Sequence, residues 1–198
     1  LMHSGGGIIS LASAAEFPVR LVESGPAGGA VFAATLAAQY GLNKVLSFDM
    51  GGTTAKICLI KNKTPKTARV FEVARSYRFK KGSGMPISIP VIDMVEIGAG
   101  GGSLAHVDTL GQIRVGPESA GSEPGPACYG RGGTRPAVTD ADLILGKLDP
   151  DSFAGGAIRL SIADAKTALI GTLGQSLDMD AVTAAFGLAE VVDENMAN

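Results

Sequence analysis

Lys44-Val-Leu-Ser-Phe-Asp-Met-Gly-Gly-Thr-Thr-Ala-Lys-Ile-Cys-Leu-Ile60 is the stretch on which the fold depends. A short apolar strand ending at Phe48 runs into an acid, two glycines and two hydroxyls, and a second β-prone run, Ile57 to Ile60, follows at once. Two strands joined by Gly-Gly predict a tight hairpin, because glycine tolerates the positive φ such turns require. The turn carries the chemistry. Asp49 can hold a metal ion, directly or through water. The amides of Gly51 and Gly52 can approach a phosphate with no Cβ in the way, and the hydroxyls of Thr53 and Thr54 can add hydrogen bonds. The same spacing also fits an ordinary glycine hairpin with a surface acid.

Upstream, Glu23-Ser-Gly-Pro-Ala-Gly-Gly29 opens a helix: Ser24 suits its cap and Pro26 its first turn. Val31, Phe32, Thr35, Leu36 and Gln39 carry it to Gly41, the expected C′ residue. Its glycine-rich start could meet an anion through free amides, or could serve close packing alone. Downstream, Lys61 to Lys66 is a charged turn, and residues 68 to 79 read as a strand whose basic side is Arg69, Arg75, Arg78 and Lys80. Ile87 to Ile97 is a β-rich stretch interrupted by Pro90, with Asp93 and Glu96 near its end.

Gly98-Ala-Gly-Gly-Gly-Ser103 resembles the start of a dinucleotide fingerprint, which demands a helix directly after it. Here Leu104 to Asp108, a turn to Gly111 and Gln112 to Val115 predict a hairpin instead, which argues against a Rossmann site. Gly116 to Gly133 is a long glycine- and proline-rich loop with embedded charge, too rich in small apolar residues for a plain linker. The last third is helical. Thr139-Asp-Ala-Asp142 starts one helix, ended by Gly146; Ser161 starts another, running to Leu173. Asp178 begins a long one with Val182, Phe186, Ala189, Val192 and Met196 on one face.

The chain has 198 residues, enough for one generous domain or two small ones, and 45% hydrophobic content supplies a core. A formal net charge of −2 argues against a nucleic-acid or anionic-membrane surface. No apolar run reaches the ~18 residues a membrane-spanning helix needs. Cys58 and Cys128 show neither metal-ligand spacing nor a disulfide framework, which fits a reducing, cytoplasmic setting. The start, Leu1 to Gly7, lacks the pattern of a signal peptide, and the end stops inside a helical pattern; both suggest a piece of a longer protein.

Six stretches in order carry a resemblance: Ser24 to Gly29, Asp49 to Lys56, Ile97 to Leu104, Val115 to Gly121, Pro124 to Gly133 and Val138 to Leu143. The chain resembles the hydantoinase A / 5-oxoprolinase family (hydantoin utilization protein A, N-methylhydantoinase), which includes a subunit of the acetone and acetophenone carboxylases. The resemblance implies an α/β, actin-like ATPase (ribonuclease H-like) lobe, its mixed sheet flanked by helices, plus a glycine-rich insertion. It implies a central fragment over 1–198, with a phosphate-hairpin part (24–80), a glycine-rich β/loop part (81–138) and a helical part (139–198).

Such proteins bind ATP between two lobes, each with a phosphate hairpin. Asp49 to Thr54 would be the second, with Asp49 facing Mg²⁺ or the attacking group and Gly51, Gly52, Thr53 and Thr54 facing the phosphates. Many members carry an acid where this chain has Lys56, and others share the lysine. The implied chemistry is ATP-dependent opening of a cyclic amide after phosphorylation of its carbonyl oxygen, often with a hydantoinase B-type subunit. The first hairpin and the adenosine segment fall outside the chain, so the piece alone is expected to be inactive. Asp93, Glu96 and His106 flank the Gly98 loop and are candidates for substrate contact or proton transfer, against a purely structural role. A carboxylase subunit acting on a ketone, a sugar- or acid-kinase-like relative and a non-catalytic actin-fold scaffold are the alternatives.

Overall fold

The computed structural model of the chain describes residues 1–74 and 82–197. Two units divide the chain, Leu1–Asp49 with Lys56–Glu96, and Met50–Ala55 with Ile97–Asn198. Each is built around its own apolar cluster.

In the first unit a short helix, α1 (Leu11–Glu16), is capped by Ser10, whose Oγ accepts the Ser13 amide at 3.1 Å. Helix α2 (Ser24–Gln39) buries alanine: Ala27, Ala30, Ala34 and Ala37 follow one another at helical spacing on one face. With only a methyl group on that face the helix comes close to its partners, and Ala27, Ala30 and Ala34 pack with Cys58, Ile60 and Ile92. The larger Phe32, Leu36 and Tyr40 are exposed. The helix ends as expected at Gly41, with φ +69°. Its amide donates to Ala38 and the Leu42 amide to Ala37, closing the paired bonds of a Schellman motif. Its start differs from expectation. The cap is Glu23, in the left-handed region (φ 60°) and without a side-chain cap bond, and Ser24 is already helical.

The strands that follow are β1 (Lys44–Met50), β2 (Ala55–Lys61), β3 (Thr64–Pro65), β4 (Thr67–Ala68) and β5 (Phe71–Val73). Then come β6 (Met85–Ile87), β7 (Val91–Ile92) and β8 (Val95–Ile97). The main sheet runs β1-β2-β3, with β8 also paired to β2. Antiparallel pairs β4–β7 and β5–β6 extend the β content, with Thr67 opposite Ile92 and Phe71 opposite Ile87. The predicted strand over 68–79 is thus split between β4 and β5; its basic residues Arg75, Arg78 and Lys80 lie outside the described residues.

The second unit begins with the predicted hairpin: β9 (Ser103–Val107) and β10 (Ile113–Ser119) pair antiparallel, with His106 opposite Arg114. Asp108 organises its turn, accepting the amides of Leu110 at 2.9 Å and Gln112 at 3.0 Å and the Arg114 Nε at 2.8 Å. These bonds hold its carboxyl below the usual range, the Gln112 amide first and Arg114 second.

Four helices follow: α3 (Val138–Ile144), α4 (Ile162–Leu169), a wide π turn leading to α5 (Gln175–Leu177), and α6 (Ala181–Ala197). They close a core of Ala105, Val138, Ala141, Leu169, Leu173, Ala184, Ala185, Leu188 and Val192. The C-terminal helices therefore cover the β9–β10 hairpin. On α6 the buried residues are Ala181, Ala184, Ala185, Leu188, Ala189 and Val192. Of the predicted face, Ala189 and Val192 are buried and Met196 packs against the core, while Val182 and Phe186 are exposed. As on α2, alanine supplies much of the buried face. The helix starts at Ala181, its first turn capped by Asp180, which accepts the Thr183 amide at 2.7 Å, and Asp178 precedes it in the left-handed region.

Asp140 is the one fully buried acid among the described residues. Its carboxyl oxygens accept three amides, Cys128 at 2.7 Å, Ala137 at 2.8 Å and Ala127 at 3.2 Å. The acid thereby ties the Pro124–Gly133 loop to the first turn of α3. Burial first and the Asp140 charge second push the Cys128 thiol well above its ordinary range, so Cys128 is a packing residue and not a nucleophile. Asp140→Ala leaves three buried amides without acceptors. Each such loss costs roughly 1–3 kcal/mol, so the variant should lose at least about 3 kcal/mol, read as a lower urea midpoint. A midpoint within error of the parent would show that the loop holds itself.

Candidate functional site

The turn Met50–Ala55 belongs to the second unit, and its backbone explains what the turn can do. The Gly51 amide closes back on the Thr54 carbonyl at 2.9 Å. The Gly51 carbonyl accepts the Gly101 amide at 3.0 Å, and the Gly52 carbonyl accepts the Gly102 amide at 2.7 Å. In a trans peptide the C=O and the next N–H point in opposite directions. Turning both carbonyls onto the Gly98–Ser103 loop therefore turns the amides of Gly52 and Thr53 away from it. Neither amide has a partner among the described residues, and Gly51, Gly52 and Thr53 are exposed. Two successive outward amides form the kind of concavity that receives an anion.

Positive φ is not why the turn carries glycine. Gly51 and Gly52 are absent from the positive-φ residues, and a Cβ at Gly52 would meet nothing within 4 Å. The fold has no need of glycine there, and the backbone at Gly52 is open to approach from outside. The supporting loop is the reverse case. A Cβ at Gly100 would lie 2.6 Å from the Gly51 carbonyl oxygen and 2.8 Å from the Thr53 backbone. One at Gly102 would lie 2.8 Å from the Gly52 carbonyl oxygen. Ser103, buried, closes the loop: its Oγ accepts the Gly100 amide at 2.9 Å and its own amide donates to the Gly100 carbonyl.

Asp49, the penultimate residue of β1, lies in the first unit, exposed and without an ion-pair partner among the described residues. Its Oδ2 lies 3.9 Å from where a Cβ of Gly29 would stand, an ordinary contact distance, so the carboxylate lies beside the second turn of α2. No group of three or more His, Cys, Asp or Glu among the described residues is arranged around a metal ion. A lone exposed carboxylate still fits Mg²⁺, which keeps most of its water and takes one or two carboxylates plus phosphate oxygens.

The other candidates are placed differently. Asp93, in the first unit, is held by Lys66 at 2.6 Å, and its amide donates to the Lys66 carbonyl. His106 is exposed on β9 of the second unit. Lys56, largely buried, lies between Glu96 at 3.2 Å and Glu23 at 3.7 Å. Sequence reading gave Val138 to Leu143 a capping role only. Thr139 and Asp140 do more, because each bonds a glycine-rich loop distant in the sequence. Their spacing carried no sign of those partners.

The sequence matches the hydantoinase/oxoprolinase family over residues 1–198. The chain belongs to this family. An uncharacterized protein of Methanocaldococcus jannaschii is 42% identical over the whole chain, and the caprolactamase subunit alpha of Pseudomonas jessenii is 37% identical over 99% of it. The chain spans 29% and 27% of those two proteins. Among solved structures, a nucleotide-free acetone carboxylase superposes with TM-score 0.80 at 29% identity, covering 98% of this chain and 26% of that one. The α/β architecture is thus that of ATP-dependent hydantoinase-family proteins, consistent with an actin-like ATPase lobe.

The glycines make a paired prediction. Gly98 faces open space, so Gly98→Ala should leave stability within about 1 kcal/mol of the parent, the cost of a mild surface change. Gly100→Ala forces backbone against backbone and should cost about 2 kcal/mol or more by the overpacking scale. Thermal melts of both variants decide it; equal midpoints would mean that the loop does not bear on the turn as described.

Proposed function

We propose that this chain is the part of an ATP-dependent cyclic-amide hydrolase that holds the nucleotide's terminal phosphates. The observation that carries the reading is the pair of outward amides at Gly52 and Thr53 over an unfilled space at Gly52. These amides and the Thr53 and Thr54 hydroxyls would bind the β- and γ-phosphates. Asp49, one residue before the turn, would hold Mg²⁺ through water or directly, or orient the attacking oxygen. Magnesium would supply charge neutralisation between this carboxylate and the phosphates.

A lactam carbonyl resists water. Attack of its oxygen on the γ-phosphorus breaks the bond to ADP and leaves a carbon that water can add to. Expulsion of the ring nitrogen, which takes up a proton, then opens the ring to an acyl phosphate, and a second water releases phosphate and the free acid. The residues named here position and neutralise and form no covalent bond. The Pseudomonas jessenii relative is a subunit, which supports a partner chain; on this reading that partner would be of the hydantoinase B type. A ketone-carboxylating role is the second reading, favoured by the superposition on acetone carboxylase; there the phosphorylated oxygen would be that of an enol.

Three variants and a binding measurement test this in the complete protein. Asp49→Asn keeps size and hydrogen bonding but not charge. It should fold normally and bind ATP within a few-fold. Its turnover should fall ~10²-fold, about 2.7 kcal/mol of transition-state stabilisation. Wild-type turnover would remove Asp49 from the mechanism. Gly52→Ala should leave the melting curve unchanged and raise the KM for ATP; Asp93→Asn should leave both unchanged. A bicarbonate requirement for turnover would favour the carboxylase reading.

On this reading the described residues of the isolated chain carry one of the two phosphate turns, so calorimetry with MgATP should show weak binding or none. A Kd near ~1 µM, about −8 kcal/mol, would show that this turn does not need the rest of the protein.

A further inference from the structure

The first turn of α3 holds a group that reaches the phosphate turn without touching it. Thr139 gives two hydrogen bonds to one acceptor: its amide and its Oγ1 each lie 2.8 Å from the Gly101 carbonyl oxygen. Thr139 is buried, and all of the groups in this chain of contacts belong to the second unit. The Gly101 carbonyl and the Gly102 amide are the two ends of one peptide plane. Fixing the carbonyl on Thr139 therefore aims the amide the opposite way, where it meets the Gly52 carbonyl at 2.7 Å. That carbonyl is in turn the far end of the Thr53 amide. Two rigid planes thus connect the Thr139 hydroxyl to the direction of the Thr53 N–H, and each bond polarises the next.

The relay has no slack. A Cβ at Gly101 would lie 2.9 Å from the Thr139 Oγ1, and one at Gly102 2.8 Å from the Gly52 oxygen, so both planes sit against their partners. On the other side of the Gly102 residue, its carbonyl accepts the Ala120 amide at 2.7 Å, which stops the loop from rotating. Asp140, next in sequence, fixes the helix turn from which Thr139 acts.

We propose that Thr139 is a positioning residue that sets the aim of the Thr53 amide toward the nucleotide phosphates; this rests on the reading of the turn as a phosphate site. A threonine that only supported its helix would matter for stability and leave nucleotide affinity alone.

The test uses the complete protein with Thr139→Val and Thr139→Ser. Both keep the main-chain bond to Gly101, so the loop still folds, and only Val loses the hydroxyl. Thr139→Val should raise the KM for ATP roughly three- to tenfold, the scale of part of one charge-assisted hydrogen bond, with the KM of the second substrate unchanged. Thr139→Ser should restore the parent value. Hydrogen–deuterium exchange over residues 98–104, without nucleotide, should be faster in the Val variant alone. Parent-like exchange and parent-like KM in Thr139→Val would overturn the relay, even if its melting midpoint drops. A parent protein that shows no response to MgATP would instead sink the phosphate reading and this use of Thr139 with it, while leaving the exchange result to report on the loop.

Discussion

The planarity of two peptide bonds governs this molecule's candidate site. With the carbonyls of Gly51 and Gly52 held by the amides of Gly101 and Gly102, the turn has one orientation available to it. Everything near it serves that constraint. The loop must be glycine at positions 100 and 102 because backbone passes against backbone, and Ser103 and Thr139 hold the loop from the other side. A free hairpin tip would sample several peptide orientations and present its amides only part of the time. Pre-setting them removes that entropic cost before any ligand arrives.

Small side chains do comparable work in both cores. Alanine faces on α2 and α6 bring helix backbone close to its neighbours, and the bulk that would normally fill such a core is exposed: Phe32 on α2, Val182 and Phe186 on α6. The apolar area each alanine buries is small, so the contribution per residue is modest. What the alanines supply is approach distance.

Charge is handled in two ways. Lys56 is largely buried between Glu23 and Glu96, and Glu23 holds a left-handed backbone conformation just before α2. A cation flanked by two carboxylates offsets part of its desolvation, and losing either partner would leave the rest poorly compensated. The Lys66–Asp93 pair, by contrast, is solvent-exposed and contributes little by comparison. An acid that is already paired on the surface is a weaker candidate for substrate chemistry than the unpaired Asp49.

By itself the sequence determined the elements and the turn. Periodicity, Gly41 and Gly146 located helix ends; alternation located the β9–β10 hairpin; Asp49 with Gly51 to Thr54 marked the candidate site, since these signals lie within a few neighbouring residues. On α6 the sequence placed Ala189, Val192 and Met196 correctly at the core but Val182 and Phe186 wrongly, because alanine carries little hydrophobic signal and large side chains draw attention, while burial depends on which face has a close neighbour. The sequence could not show which amides of the turn are bonded, because that follows from the Gly101 and Gly102 bonds. The joining of Gly51 and Gly52 to a loop some fifty residues on, and of that loop to Thr139, was decided by tertiary structure alone. Backbone hydrogen bonds between distant glycines leave no pattern in side-chain chemistry, and only the folded path of the chain brings them together.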